Sequence, residues 1–558
     1  MNVLKNRKLF FTLFSSLSIV CLGSIIYFNI LNSPFQFDDI KFIVENYNIR
    51  DISNPLLIWE FLPTRFFDFF SLALNYHFAK LDVFTYHLVN LFLHFLVSIL
   101  IFWFTQLIFS TPAMKKETLS GYKEEIALFA SLIFLAHPIQ TESVTYIHQR
   151  STLLAGLFYL SSLCLYATAR LWEIAGALPG RRRILYILAY SAALAGMFTR
   201  ENVITLPLAV LLFEFYFLRE NKQIKWLPVL PFLATLPIIP VTLFLTKPIT
   251  LLNIQKLGDA PIRGWYYFLT QLNAKIAYLR LSFFPWPQNF DYDFPVSRSP
   301  LEPVTFINLV ALTAILFVAA RIFRGYRILS FSIAWFFLVF LPESSFIPQP
   351  DVMVEHRLYL PLAGFCIFSV CIMYYIFSAK NRKLLLVLLS VIVVCFSVLA
   401  FKRNILWKDE ISLWSDTIAK SPNKARPYNE RGNVYAGRGD YAQAIADFNK
   451  ALEIDAQENS LNPLHAYSIR ARVYYNRARV YQGLKDMEQA IADYSRSIQA
   501  DWKNPWAYNN RAVIYAQNNE YAQALRDFSR AIQIDPGFLL AYANRAAIYM
   551  DKHKYPEA

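Results

Sequence analysis

Residues 384–401 read LLLVLLSVIVVCFSVLAF, and Lys402, Arg403 and Asn404 end the run. At about 1.5 Å per residue, a helix of this length reaches about 27 Å, close to the ~30 Å hydrocarbon core of a bilayer. The run therefore predicts a membrane span, and its end divides the chain. Before residue 402 similar apolar runs recur; after it the composition turns polar. The whole chain of 558 residues is 56% hydrophobic, 17% aromatic and only 17% charged, with a mean hydropathy of +0.32. Such values exclude an ordinary soluble domain. Fifteen glycines exclude collagen-like and Gly-rich disordered chains. The excess of 54 Lys and Arg over 40 Asp and Glu follows the linkers between spans, so it does not mark a nucleic-acid partner.

Working back from 384–401, apolar runs predict eleven spans: 9–30, 88–109, 124–137, 152–169, 184–198, 203–218, 226–246, 304–323, 328–345, 358–378 and 384–401. Lys5, Arg7 and Lys8 precede the first run as in a signal peptide, but no small-residue cleavage site follows, so a retained span is expected. Alternate linkers are basic: Lys115, Lys116 and Lys123; Arg170 with Arg181–Arg183; Arg219, Lys222 and Lys225; Arg321, Arg324 and Arg327; Lys380, Arg382 and Lys383. The positive-inside rule makes these cytoplasmic, together with the N-terminus. Linkers 137–150, 199–202 and 342–357 hold one Arg each and are external. Residues 265–284 carry Gln271, Asn273, Lys275 and Arg280 and read as an interfacial or re-entrant helix. Eleven crossings then put the polar tail outside the cytoplasm. Cys21, Cys164, Cys366, Cys371 and Cys395 all lie in apolar runs, so they offer neither a disulfide framework nor a metal site.

The tail repeats itself. RPYNERGNVYAGRGDYAQAIADFNKAL (426–452), ARVYYNRARVYQGLKDMEQAIADYSRSI (471–498), PWAYNNRAVIYAQNNEYAQALRDFSRAI (505–532) and LLAYANRAAIYMDKHKYPEA (539–558) share one pattern. Small residues (Gly432, Ala478, Ala512, Ala546) stand where two helices cross, each followed three positions later by Tyr435, Tyr481, Tyr515 or Tyr549. Ala444, Ala490 and Ala524 let the second helix approach, and Phe448, Tyr494 and Phe528 fill the core. The last three units start 34 residues apart, and the pattern resembles tetratricopeptide repeats. An insertion lies near Gln457 to Pro463, and the fourth unit's second helix has barely begun at Pro556. The expected fold is all-α: a polytopic membrane domain (1–401), a connector (402–424) and a repeat solenoid (425–558, starting near 425, 471, 505 and 539).

Chemistry concentrates on the external side. Loop 31–87 opens with FQFDDIKFIVENYNIRD, placing Asp38 beside Asp39 just after the first span. Adjacent acids repel, which raises one carboxyl toward the working range of a general base; a solvated loop or helix cap is the plainer use of such a pair. The same face receives His137, Glu142, His148 and Arg150, then Arg200 and Glu201, then Glu355, His356 and Arg357. Carboxylates, imidazoles and guanidiniums at one membrane edge suit an acceptor hydroxyl and a lipid phosphate, which Arg binds through a bidentate fork; snorkelling to headgroups is the alternative for each Arg. His87 and His94, seven residues apart, read as helix–helix hydrogen bonders, and no four-ligand metal spacing is present. In the repeats, Asn476, Asn510 and Asn544 recur at one position, a candidate ladder for an extended peptide backbone.

Taken in order, FDD (37–39), LNYH (74–77), HLVNLFLH (87–94), HPIQTESV (137–144), RSTLLAG (150–156), REN (200–202), FDYDFP (290–295) and EHRLYLPLAG (355–364), followed by the repeats, resemble the transmembrane and tetratricopeptide-repeat O-mannosyltransferases. These are GT-C-fold membrane glycosyltransferases that use a polyprenyl-phosphate sugar. The resemblance implies Asp38 or Asp39 as the catalytic carboxylate. His137, Glu142, Glu201 and Glu355 would line the site, with Arg150, Arg200, His356 and Arg357 near the donor phosphate. It implies a metal-independent, inverting transfer of mannose or another hexose to a hydroxyl on protein, without a cofactor beyond the lipid-linked donor. Gln140 stands where eukaryotic relatives tend to show a second His, Arg200 where Lys is usual, and Glu355-His356-Arg357 in place of a Glu-Arg pair, which leaves open whether His356 or Arg357 meets the phosphate.

Other readings remain: an inactive membrane-anchored repeat scaffold for envelope proteins, a transferase acting on lipid-linked glycan, and, behind these, a transporter, which would place charges near the midmembrane. The expected location is a bacterial inner membrane with periplasmic repeats, or an ER membrane with luminal repeats.

Overall fold

The computed structural model describes residues 2–219, 223–246, 264–349, 351–377, 381–461 and 466–551; Lys222, Lys380 and Pro556 lie outside them. No β-strand occurs among the described residues. Two compact units divide the chain, the first closing at Asp409 and the second beginning in earnest at Glu410.

In the first unit the principal helices are α1 (Asn2–Tyr27), α2 (Phe66–Ala79), α3 (Val83–Ser110), α4 (Lys123–Ala136), α5 (Gln140–Thr145), α6 (Arg150–Ile174), α7 (Pro179–Met197), α8 (Leu206–Phe213), α9 (Gly264–Phe283), α10 (Pro303–Ile322), α11 (Arg327–Phe340), α12 (Pro361–Phe377) and α13 (Arg382–Ile405). Six stretches are long and apolar enough to cross a membrane by length and composition: Leu9–Ile30, Val83–Ser110, Ile147–Ile174, Glu201–Leu218, Pro303–Ile322 and Arg382–Lys408. Leu230–Thr246, Arg327–Phe340 and Pro361–Phe377 are shorter apolar stretches, the last two each a single helix. The run 226–246 is not one continuous helix: it breaks around Pro237 into Leu230–Leu233 and Ile238–Thr246, each with a proline (Pro231, Pro240) in its first turn, because a proline removes a backbone donor and clashes with a preceding helical turn.

Helices meet closely where side chains are small. A Cβ on Gly364 of α12 would lie 2.5 Å from Trp335 Cδ1 on α11, so only glycine permits this approach. The amphipathic stretch 66–79 forms α2, whose Phe69, Leu72 and Ala73 pack with Ile43, Ile49, Ile58, Tyr86 and Ile147 into a core beneath the first loop. Helix α9 carries the loop before α12: Tyr267 Oη donates to the Glu343 carbonyl (2.9 Å), Gln271 Nε2 to Val352 O (2.7 Å) and Tyr278 Oη to Val354 O (2.9 Å).

Charge is not confined to one end of the bundle. Arg170 and Glu214, 1% and 0% exposed, form an ion pair with Nε–Oε1 at 2.5 Å, and Tyr166 Oη donates to the same carboxylate at 2.6 Å. Glu173 accepts from Arg170, Tyr186 and Lys225, extending the network among residues near the basic linkers. His94 bridges helices, its ring within 2.9 Å of Tyr359 Oη and 3.3 Å of the Leu135 carbonyl.

The second unit stacks helix pairs: α14 (Glu410–Lys420), α15 (Ala425–Gly437), α16 (Tyr441–Leu461), α17 (Ala466–Gly483), α18 (Met487–Ala500), α19 (Pro505–Gln517), α20 (Tyr521–Ile534) and α21 (Leu539–Asp551). Within each repeat an Arg on the first helix forks onto an Asp on the second: Arg431–Asp447, Arg477–Asp493 and Arg511–Asp527, with N–O distances of 2.6–3.0 Å. A third guanidinium nitrogen reaches back to the previous repeat: Arg511 to Ser495 Oγ, Arg545 to Ser529 Oγ and Arg431 to Ser415 Oγ, sixteen residues away each time. Ser415 lies on α14, and Trp414 beside it is buried 34 residues before Phe448, as Tyr494 stands 34 before Phe528. Helix α14, inside the stretch expected to be a connector, thus has the position of a repeat's second helix. Its Leu413 hid this, because it stands where the other repeats have Asp447, Asp493 and Asp527.

Glu214→Ala leaves the buried Arg170 with Glu173 as its remaining ionic partner, and is expected to cost about 3 kcal/mol, read as a lowered unfolding midpoint of the detergent-solubilised protein.

Candidate functional site

The FDD motif turns sharply at Phe37, whose φ of +49° lies in the left-handed region that a bulky residue rarely adopts. This turn separates the two acids. Asp39 is buried: its Oδ2 accepts from Gln36 N (3.0 Å) and its Oδ1 from His148 N (2.7 Å). Burial pushes its carboxyl up to about 8, overriding the two backbone donors, with the neighbouring Asp38 a smaller contribution in the same direction. Asp38 is half-buried; its N–H donates to Tyr146 Oη (3.0 Å), and the Tyr146 hydroxyl also hydrogen-bonds its carboxylate. One acid organises the loop, and its neighbour presents an oriented carboxylate.

Arg150 is wholly buried and satisfied internally, donating from Nε to Asn90 Oδ1 (2.8 Å) and from its terminal nitrogens to the carbonyls of Tyr86 (3.0 Å) and Ser71 (3.3 Å). It ties α2, α3 and α6 together. His137 is also buried: its Nε2 lies 3.0 Å from the Ser282 carbonyl and its Nδ1 accepts from Ile139 N, which seats the linker after α4 on the end of α9. Glu355 receives Asn289 N (2.7 Å) and Gln288 Nε2 (2.9 Å). These three sequence candidates serve as braces.

Others converge. Glu343 stands between two arginines, Arg200 Nη2 at 3.6 Å from one carboxylate oxygen and Arg357 Nε at 3.9 Å from the other. Arg200 also reaches Gln149 Oε1 (3.1 Å) and Thr152 Oγ1, while Arg357 donates to the carbonyls of Val352 (3.0 Å) and Asp351 (2.8 Å). His356 turns away from this pair. Its Nδ1 lies 2.7 Å from Glu142 Oε1 and its N–H donates to Glu142 Oε2 (3.2 Å). Burial raises Glu142 to about 8 and drives His356 well below its usual value, where Arg200 and Arg357 also repel the imidazolium. Glu201 pairs with Arg65 (3.5 Å) and accepts from Thr64 Oγ1. Asp68 on α2 is buried with no hydrogen-bond partner on either oxygen; burial lifts it to about 7, against the fields of Arg65, Arg150 and Arg200.

Sequence reasoning missed Arg65, Asp68, Tyr146 and Glu343. Only Tyr146 and Glu343 left a trace, as polar members of the external linkers; Arg65 and Asp68 lie in a Phe-rich stretch that reads as purely amphipathic. In the repeats the Asn ladder is partly spent on the solenoid itself. Asn476 Nδ2 donates to Asn429 (3.0 Å), Asn544 Nδ2 to Asn509 (3.0 Å), and Asn510 Nδ2 to the hydroxyls of Tyr475 and Tyr494.

Comparison with known proteins bears on both units. The tetratricopeptide repeat family matches residues 423–501 and 505–538. The chain is 24% identical over 493 residues to the human "Protein O-mannosyl-transferase TMTC3", covering 77% of this chain and 50% of that one. It is 24% identical over 466 residues to the Caenorhabditis elegans "Protein O-mannosyl-transferase F38B6.6", covering 79% and 62%. The chain therefore spans about half to three-fifths of the length of these curated relatives. A crystal structure of MamA aligns with 26% of this chain and 79% of that chain at 22% identity and a TM-score of 0.23.

Two outcomes follow. Asp39→Asn removes one of two acceptors for buried N–H groups and should cost about 1–3 kcal/mol, whereas Asp38→Asn should leave the unfolding midpoint nearly unchanged, as read by thermal melting in detergent. The raised carboxyls of Asp39, Asp68 and Glu142 bind protons more tightly folded than unfolded, so their contribution is full below about pH 4 and is lost as pH rises through 7–8. The depressed His356 acts oppositely, costing stability as pH falls below its unfolded value of 6.5. Melting temperature should therefore decline from pH 7 to pH 9, less steeply in Asp39→Asn.

Proposed function

We propose that the chain is a membrane glycosyltransferase that moves a hexose, mannose in the first instance, from a polyprenyl-phosphate donor to a hydroxyl on protein at the extracytoplasmic face. The observation that carries this reading is a half-buried carboxylate, Asp38, oriented by Tyr146, in the same unit as the adjacent cations Arg200 and Arg357. The printed names of the relatives supply mannose and protein as sugar and acceptor class.

In this mechanism Asp38 takes the proton of the acceptor hydroxyl as its oxygen attacks the anomeric carbon. The bond from that carbon to the phosphate oxygen breaks on the opposite face, inverting the centre, and the lipid phosphate departs with the electron pair. Arg357 and Arg200 stabilise the growing negative charge. Between His356 and Arg357, Arg357 is the phosphate partner, since His356 is engaged with Glu142. The Glu142–His356 pair fixes the start of α12, and Arg150 and Asp39 hold the carboxylate loop. A groove of about 540 Å³ lined by Leu208, Leu212, Phe215, Trp226, Phe337 and Leu341 is apolar enough to suit the polyprenyl chain, and Leu341 stands two residues before Glu343 in the sequence. The repeats would present the acceptor, and the bacterial periplasm or ER lumen would hold them.

The test is transfer of radiolabelled mannose from polyprenyl-phosphate mannose to membrane protein by the purified chain. Asp38→Asn should lose about 10²-fold or more in kcat, with its melting midpoint retained, and Tyr146→Phe should lower kcat more than it changes KM. Undiminished transfer by Asp38→Asn removes the base assignment. If wild type consumes no donor, the scaffold reading takes precedence.

A further inference from the structure

Arg200 and Arg357 are nearly buried, and two guanidiniums at such a place repel each other unless an anion lies between them. Glu343 supplies that anion with one oxygen toward each, at 3.6 and 3.9 Å, too long for either to be a hydrogen bond. The firm bonds of both arginines go elsewhere: Arg200 to Gln149 and Thr152, Arg357 to the carbonyls of Val352 and Asp351. Their positions therefore do not depend on Glu343. The backbone at Glu343 is held separately, its carbonyl accepting from Tyr267. Its side chain is 15% exposed, so the carboxylate has one side open to solvent while the loop backbone is held.

A carboxylate and a phosphodiester share the relevant chemistry: one negative charge spread over two equivalent oxygens. We infer that Glu343 is an internal ligand of the Arg200–Arg357 pair, exchanging with the phosphate of the lipid substrate and product. This rests on the reading of that pair as the phosphate seat. The leaving lipid phosphate, a monoester with a charge of about −1.5 to −2 near pH 7, binds two arginines more tightly than the donor does. An enzyme that relies on this attraction in the transition state then faces slow product release. A carboxylate poised to return offsets it, because occupancy by Glu343 weakens the apparent affinity by the fraction of molecules in which the seat is open.

The experiment measures binding of undecaprenyl phosphate to the purified full chain in detergent, independently of catalysis. Glu343→Gln and Glu343→Ser remove the charge by different routes; Glu343→Asp keeps it. The expected result is about tenfold tighter binding in Gln and Ser, corresponding to a seat open about one-tenth of the time, with Asp close to wild type. In turnover, Glu343→Gln should lower the donor KM, lower kcat and increase inhibition by added undecaprenyl phosphate. Either neutral variant that folds decides the matter. Unchanged or weaker binding, with wild type binding measurably, overturns the inference and makes Glu343 a positioning residue for the arginines. If wild type does not bind the lipid phosphate at all, the phosphate seat itself falls, and with it this inference.

Discussion

A charged group withdrawn from water must find its partners inside the protein, and Arg150 shows how much of this structure follows from that requirement. Its guanidinium is wholly buried and gives three donors to oxygens on α2 and α3 while its backbone starts α6. Losing one such bond leaves a buried donor unsatisfied, so the three helices are held in one arrangement. Two residues before it, the His148 N–H caps the Asp39 carboxylate, which draws the loop after α1 onto the same framework. The position of Asp38 is a consequence of these two buried side chains.

The site is accordingly built in two layers with different chemistry. Arg150, Asp39, His137 and Glu355 bond to backbone groups and brace loops. Asp38 is tied to the Tyr146 side chain, and Arg200 and Arg357, although bonded elsewhere, also face the Glu343 carboxylate at longer range. Sequence alone does not separate the layers, because an Arg that feeds carbonyls and an Arg that faces an anion are the same letter in the same kind of loop.

The second unit solves a related problem by repetition. Each Arg–Asp fork closes a helix pair, and the remaining guanidinium nitrogen stitches that pair to the one before. The Asn side chains join this stitching, so positions that read as a peptide-binding ladder also serve the solenoid's own cohesion.

Helix content, the change of character near residue 402 and the repeat register were legible in the sequence, because they depend on local periodicity: apolar runs long enough for a bilayer, and small and aromatic residues recurring at 34. Candidate acids and cations were legible as polar residues at the ends of apolar runs. Which of two adjacent aspartates is buried, that Arg150 braces while Arg357 faces Glu343, and that α14 stands before the first repeat as a second helix of the same kind were decided only by tertiary structure. The buried aspartate and Arg150 depend on partners 60 to 109 residues distant, Arg357 on how its own loop folds back onto Glu343, and α14 on a helix whose side chains depart from the repeat pattern, and spacing along the chain carries no record of any of these.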